Sequence, residues 1–173
     1  MVLTTDALRL TLEPEVRAGE GGRAVNRDRS GMSRILEEIL AAGHEHSLTM
    51  RTLVPRDRDQ LRERVHRQYG TRGNRMWESA PRCVSVHSGD GWMWIGEFVG
   101  SRDCVLLFDP AEEAEMVHIP SGAELDAVLR NISVFEFYVT DREARYLICF
   151  NHHDVLIGCG LAETWLKERL GSG

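Results

Sequence analysis

Asn151, His152, His153 and Asp154 stand in a row directly after an apolar stretch, Tyr146 to Phe150. Together they offer two imidazoles, a carboxylate and an amide, groups that bind a metal, shuttle a proton or orient a base. Adjacent residues on a strand point to opposite faces, so His152 and His153 can share one ion only if the backbone turns there. A turn would also let one histidine and Asp154 form a carboxylate-oriented general base. The plainer reading gives Asn151 and Asp154 to backbone groups at a turn and leaves a histidine hydrogen-bonded at the rim of the core. These four residues are the candidate functional cluster, with His152, His153 and Asp154 the only metal candidates within it. No resident metal, no cofactor and no assigned catalytic residue are expected.

A second candidate is aromatic. Read as a strand, Trp92-Met93-Trp94 puts two indoles on one face, where they could stack a planar ligand, anchor a partner or simply belong to the core. Trp92, Trp94, Glu97 and Tyr138 make up the candidate binding surface. His44-x-His46 follows a helical segment, where imidazoles interact favourably with the helix dipole, and a metal reading would need a further ligand from elsewhere. Asp109-Pro110-Ala111-Glu112-Glu113-Ala114-Glu115 is an acidic turn, read as a solvated loop. P-loop, Gly-x-Ser-x-Gly, His-Glu-x-x-His and EF-hand patterns are absent from the sequence.

Charge is unevenly distributed. Residues 1–82 carry 15 basic and 12 acidic side chains, whereas residues 83–173 carry 6 and 15, a net of −9. Arg56, Arg58, Arg62, Arg64 and Arg67 stud one helical stretch, but Asp57, Asp59 and Glu63 interleave with them, as in helix-surface ion pairs. The acidic total disfavours a polyanionic partner such as nucleic acid, and docking of this helix on the acidic second half is an equally good use for its arginines.

Elements to position these groups follow from periodicity. A first helix begins at Met32, with Ser30 as its cap and Gly43 as its stop; a second runs from about Asp57 to Tyr69. Ser47 to Val54 is a possible strand segment. The CVSVH, WMWIGEFV, CVLLF and EMVHI segments read as strands, the second and third central because they are apolar on both faces. Ser121-Gly-Ala-Glu124 is a capping box for a helix buried through Leu125, Val128, Leu129 and Ile132. Val134 to Gly160 is a hairpin with a charged turn, and Leu161 to Leu170 is a closing helix. Short turns between strands imply antiparallel pairing. The fold class is α+β: a mostly antiparallel sheet of five to six strands with two N-terminal helices, one inserted helix and a C-terminal helix. Residues 1–31 read as a poorly defined N-terminal segment and linker, and 32–173 as a single α+β domain.

The chain has no apolar run long enough to span a bilayer, and its first ten residues lack a signal-peptide pattern, so a cytoplasmic location is expected. Cys83, Cys104, Cys149 and Cys159 lie far apart and are read as free, small buried residues.

The block Phe137-Tyr138-Val139-x-Asp141, Tyr146-Leu147-Ile148, Asn151-His152-His153-Asp154, Leu156-Ile157-Gly158 and Gly160 resembles an uncharacterised family of small bacterial single-domain proteins. The likeness covers residues 134–173 and carries over no residue roles. In size and acidity such proteins are similar to the immunity proteins that neutralise bacterial toxins, by analogy only. The expectation is a non-enzymatic protein-binding module, monomer or homodimer, meeting a protein partner. The alternative is a small metal-dependent or His/Asp hydrolase centred on Asn151–Asp154.

Overall fold

The computed structural model describes residues 33–70, 83–133 and 136–171. The linker reading of 19–31, the strand or helix at 5–13, the Ser30 cap and the arginines of 71–82 lie outside the described residues.

Alternation of apolar side chains builds the centre. Strands β1 (Arg51–Thr52), β2 (Cys83–His87), β3 (Cys104–Leu107), β4 (Val117–Ile119), β5 (Phe137–Thr140), β6 (Tyr146–Phe150) and β7 (Val155–Gly160) form one antiparallel sheet. Its order is β1-β4-β3-β5-β6-β7-β2. Helices are α1 (Arg34–Glu45), α2 (Pro55–Tyr69), α3 (Ile95–Val99), α4 (Gly122–Leu129) and α5 (Leu161–Gly171), with a 3-10 turn at Gly91–Trp94 ahead of α3. The fold is α+β, as the pattern of strands and flanking helices implies.

Each central strand sends alternate residues to two cores. Leu106, Val139, Ile148 and Leu156 meet α1, α3, α4 and α5 on one face through Ile39, Ile95, Leu125 and Leu166. Val105, Tyr138, Leu147, Cys149 and Ile157 meet α2 on the other through Leu61, Val65 and Tyr69. Helices on both faces explain why β3, β5 and β6 are buried at every position, all but Thr140 of them apolar.

Three sequence expectations are corrected. Among the described residues the sheet has seven strands, and two helices are inserted rather than one. The strand that the hairpin reading did not separate is β7, inside the sheet between β6 and β2, and the short edge strand is β1. WMWIGEFV is no central strand. Trp92, Ile95 and Val99 fall three and four residues apart, so the near-continuous apolar run satisfies helical spacing as well as alternation, and the chain takes the 3-10 turn and α3 there. The first helix is capped by Ser33, whose hydroxyl accepts the Leu36 N–H at 3.2 Å, and it runs through Gly43 to Glu45. Gly43 faces Met50, whose movable Cε end lies 2.0 Å from where a Cβ would stand. The capping box is half made: Ser121 Oγ accepts the Glu124 N–H, but the Glu124 carboxylate accepts from Thr49 N–H at 3.0 Å instead.

The cysteines are a fourth correction. Cys83 and Cys159 form a disulfide across β2 and β7, while Cys104 and Cys149 are buried free thiols. Burial, seconded by Asp103 and Glu124, pushes the Cys104 thiol up to about 12, and burial, seconded by Asp141, pushes Tyr69 up to about 12. In the unfolded chain both groups ionise at lower pH, so the unfolded state loses protons first and stability falls as pH climbs above about 9. Denaturant midpoints measured from pH 8 to 11 should therefore decline. At pH 8 an alkylating reagent should leave Cys104 and Cys149 unmodified until the protein is unfolded; modification of either in the native protein would contradict this burial.

Candidate functional site

The turn between β6 and β7 is built around Asn151. Its side chain is buried, and its Oδ1 accepts the N–H groups of His153 at 3.0 Å and Val155 at 3.2 Å. Its backbone N–H donates to Val155 O, and its backbone O accepts the Asp154 N–H at 3.0 Å. Asp154, at φ 56, completes the reversal in a left-handed conformation that asparagine and aspartate tolerate better than most residues. Asn151 and Asp154 thus act as turn residues, the plainer of the two sequence readings.

The reversal still brings the imidazoles together. The His152 and His153 rings lie 4.0 Å apart, tilted by 44°. The carboxylate that orients His152 is Glu136: Oε2 is 3.1 Å from His152 Nδ1, and Oε1 accepts the Tyr138 hydroxyl proton at 3.0 Å. With Nδ1 donating to Glu136, the neutral ring carries its lone pair on Nε2. Sequence reasoning missed Glu136, although the signal exists. It lies two residues before Tyr138, on the same side of β5, and the pairing of Phe137 with Phe150 sets it level with the start of the turn.

This arrangement can orient an imidazole. Cys149 is buried beside Tyr138; burial, with the charge of Glu136, holds its thiol well above the usual range against the opposing effect of the Tyr138 hydrogen bond. Among the described residues, no group of three or more His, Cys, Asp or Glu side chains is placed to hold a metal ion. His46 ends α1 with its Nε2 3.0 Å from the Asn131 side-chain nitrogen.

The same end of the sheet carries a second loop. Ser88 N–H donates to Asp154 O at 2.8 Å, and Gly91 N–H to Ser88 O at 3.0 Å. Two turns locked in this way set exposed His87, Asp90, His152, His153 and Asp154 on one border of the sheet.

The four residues of the candidate binding surface are split. Tyr138 is 0% exposed in the core under α2. Trp92 and Trp94 are half-buried against the opposite core. The Arg130 guanidinium lies over Trp92 at 5.5 Å and that of Arg169 over Trp94 at 4.5 Å, while Arg169 also pairs with Glu97 at 2.7 Å. Each indole already carries a cation from its own chain.

Four of the five arginines of α2 are likewise engaged. Arg58 pairs with Glu115, Arg62 donates to Ala114 O at 3.1 Å, Arg64 donates to Arg142 O, and Arg67 pairs with Glu63 at 2.6 Å. The acidic turn is solvated at Pro110, Ala111 and Glu112 but forms a seam at Glu113, which is buried and accepts the Ser33 hydroxyl and the Glu115 N–H.

The fold and this border define an α+β protein with an antiparallel sheet and helices on both faces. Among the described residues, no helix is long and apolar enough to cross a membrane. Comparison with protein-family models, curated proteins and solved structures finds no match.

Proposed function

We propose that this chain is a non-enzymatic protein-binding module, immunity-like in size and acidity, that meets its partner through the border formed by the Ser88–Gly91 and Asn151–Asp154 turns. The observation that carries this reading is the Ser88–Asp154 hydrogen bond, which holds two exposed polar turns in one rigid arrangement. A preorganised surface loses little conformational entropy on association. The acidic second half of the chain would speed encounter with a basic partner. The bacterial origin and cytoplasmic location implied by the sequence belong to this same proposal. Capture from the native host should recover one protein partner, and His152→Ala, His153→Ala and Asp90→Ala should weaken that complex, the strongest by at least about tenfold, or 1.4 kcal/mol. Failure to capture any protein, together with no toxin-type gene beside this one, would overturn the reading.

The Glu136–His152 pair favours a second reading, an acid–base site for hydrolysis. Near-stoichiometric zinc in the purified protein, or a hydrolytic activity lost in His152→Ala, would move the assignment there.

A further inference from the structure

We infer that the Cys83–Cys159 disulfide is a reversible redox staple on the β2 edge of the sheet, opened by small thiols or a dithiol protein, and that its state sets the order of β2 and of the turn that follows it. The influence on binding rests on the function proposed above; the redox behaviour of the staple does not.

The strand register comes first. Cys83 opposes Cys159 and His87 opposes Val155, with a Cα–Cα distance of 4.4 Å at the cysteine pair. Ser88 N–H reaches Asp154 O, so His87–Val155 is a pair that exchanges no hydrogen bonds. Strict alternation then makes Cys83–Cys159 another such pair, the position where facing side chains approach most closely. It leaves Val84 with Gly158 and Val86 with Leu156 as the pairs that exchange hydrogen bonds. Along its backbone the edge strand is thus held by two hydrogen-bonded pairs, the Ser88 bond beyond its end and one covalent link at its start, while Val84 and Val86 rest half-buried on the core.

Access comes second. Among the described residues β2 is the last strand of the sheet, and Cys83 is half-buried whereas Cys159 is 2% exposed. A thiolate therefore reaches the Cys83 sulfur first. Its attack forms a mixed disulfide at Cys83, and the S–S bonding pair departs on Cys159 Sγ, which takes a proton. A second thiol of the reductant attacks the reductant's sulfur in the mixed disulfide and releases Cys83 as its thiol. Two electrons and two protons pass to the cysteine pair, and the dithiol becomes a disulfide.

The consequence runs along β2. Cys83 starts the strand and His87 ends it, directly before Ser88, whose N–H joins the two exposed turns. Among the described residues β2 is paired on one side only, and an edge strand of five residues frays once its covalent anchor is gone. Loosening β2 loosens the Ser88–Gly91 turn with it.

The experiment uses the full chain, purified without reductant, with alkylation mass mapping and hydrogen exchange before and after dithiothreitol in native buffer. The expected result is no label at Cys83 or Cys159 before reduction and both labelled after it. The Val84, Val86 and Ser88 amides should exchange at least tenfold faster in the reduced protein, with β5 and β6 unchanged. Cys83→Ser should reproduce the faster exchange; should that variant not fold, the reduced wild-type protein supplies the same measurement. Label at both residues before reduction, a pair that resists dithiothreitol in the folded protein, or unchanged exchange in β2 would each overturn the inference. Loss of partner binding plays no part in this readout, so the staple and the binding proposal fail separately.

Discussion

Gly122→Ala is expected to lower the unfolding free energy by about 3 kcal/mol, the upper part of the usual range for overpacking. Gly122 opens α4 and donates its N–H to Gly100 O at 2.8 Å. A Cβ there would lie 2.0 Å from Gly96 O and 2.9 Å from Gly100 N. The obstacles are backbone atoms of α3 and its terminus, so no side-chain rotation relieves them and the two helices must move apart. They cannot separate freely, because Ile95, Val99, Leu125 and Val128 share one core with β3 and β5. Gly89→Ala is the control, since a Cβ at Gly89 meets nothing within 4 Å, and a surface change of that kind stays within about 0.5 kcal/mol. Equal denaturant midpoints for the two variants would show that α3 and α4 do not pack backbone to backbone.

That contact marks where sequence patterns stop being informative. Ser121 and Glu124 announce a helix start, and the structure puts one there, yet no local pattern says what Gly122 faces. β3, β5, β6, α4 and α5 were legible because their apolar periods are clear and their ends carry turn residues, whereas β7 was not set apart from the hairpin because it begins only after the Asn151–Asp154 reversal. WMWIGEFV was not, because six of its eight residues are apolar and any period fits such a run. The disulfide joins residues 76 apart through an edge pairing that follows from the whole sheet order. At the candidate site the turn chemistry of Asn151 and Asp154 was readable from residue types. The orienting carboxylate was not sought at Glu136, because finding it requires the β5–β6 register as well as the hairpin.

Asn151→Ala is expected to cost about 2 kcal/mol and to dismantle the site, whereas His152→Ala beside it should leave stability within about 0.5 kcal/mol of wild type. The Asn151 side chain is buried and its Oδ1 serves two backbone donors, the N–H groups of His153 and Val155. Alanine leaves both inside the turn without that acceptor, a loss larger than that of a hydrogen bond exchanged freely with water. Asn151→Asp retains the acceptor oxygen and a residue type suited to turns, so it should recover much of the loss. The His152 ring is exposed at the surface, where it meets the equally exposed His153 ring and pairs at its edge with Glu136, which is why its removal should spare the fold. Denaturant midpoints for the three variants, read with amide exchange at His153 and Val155, test this directly. A neutral Asn151→Ala would mean that the turn persists without its central acceptor. A neutral His152→Ala that nevertheless loses the partner would separate what the turn does for the fold from what it presents to other molecules.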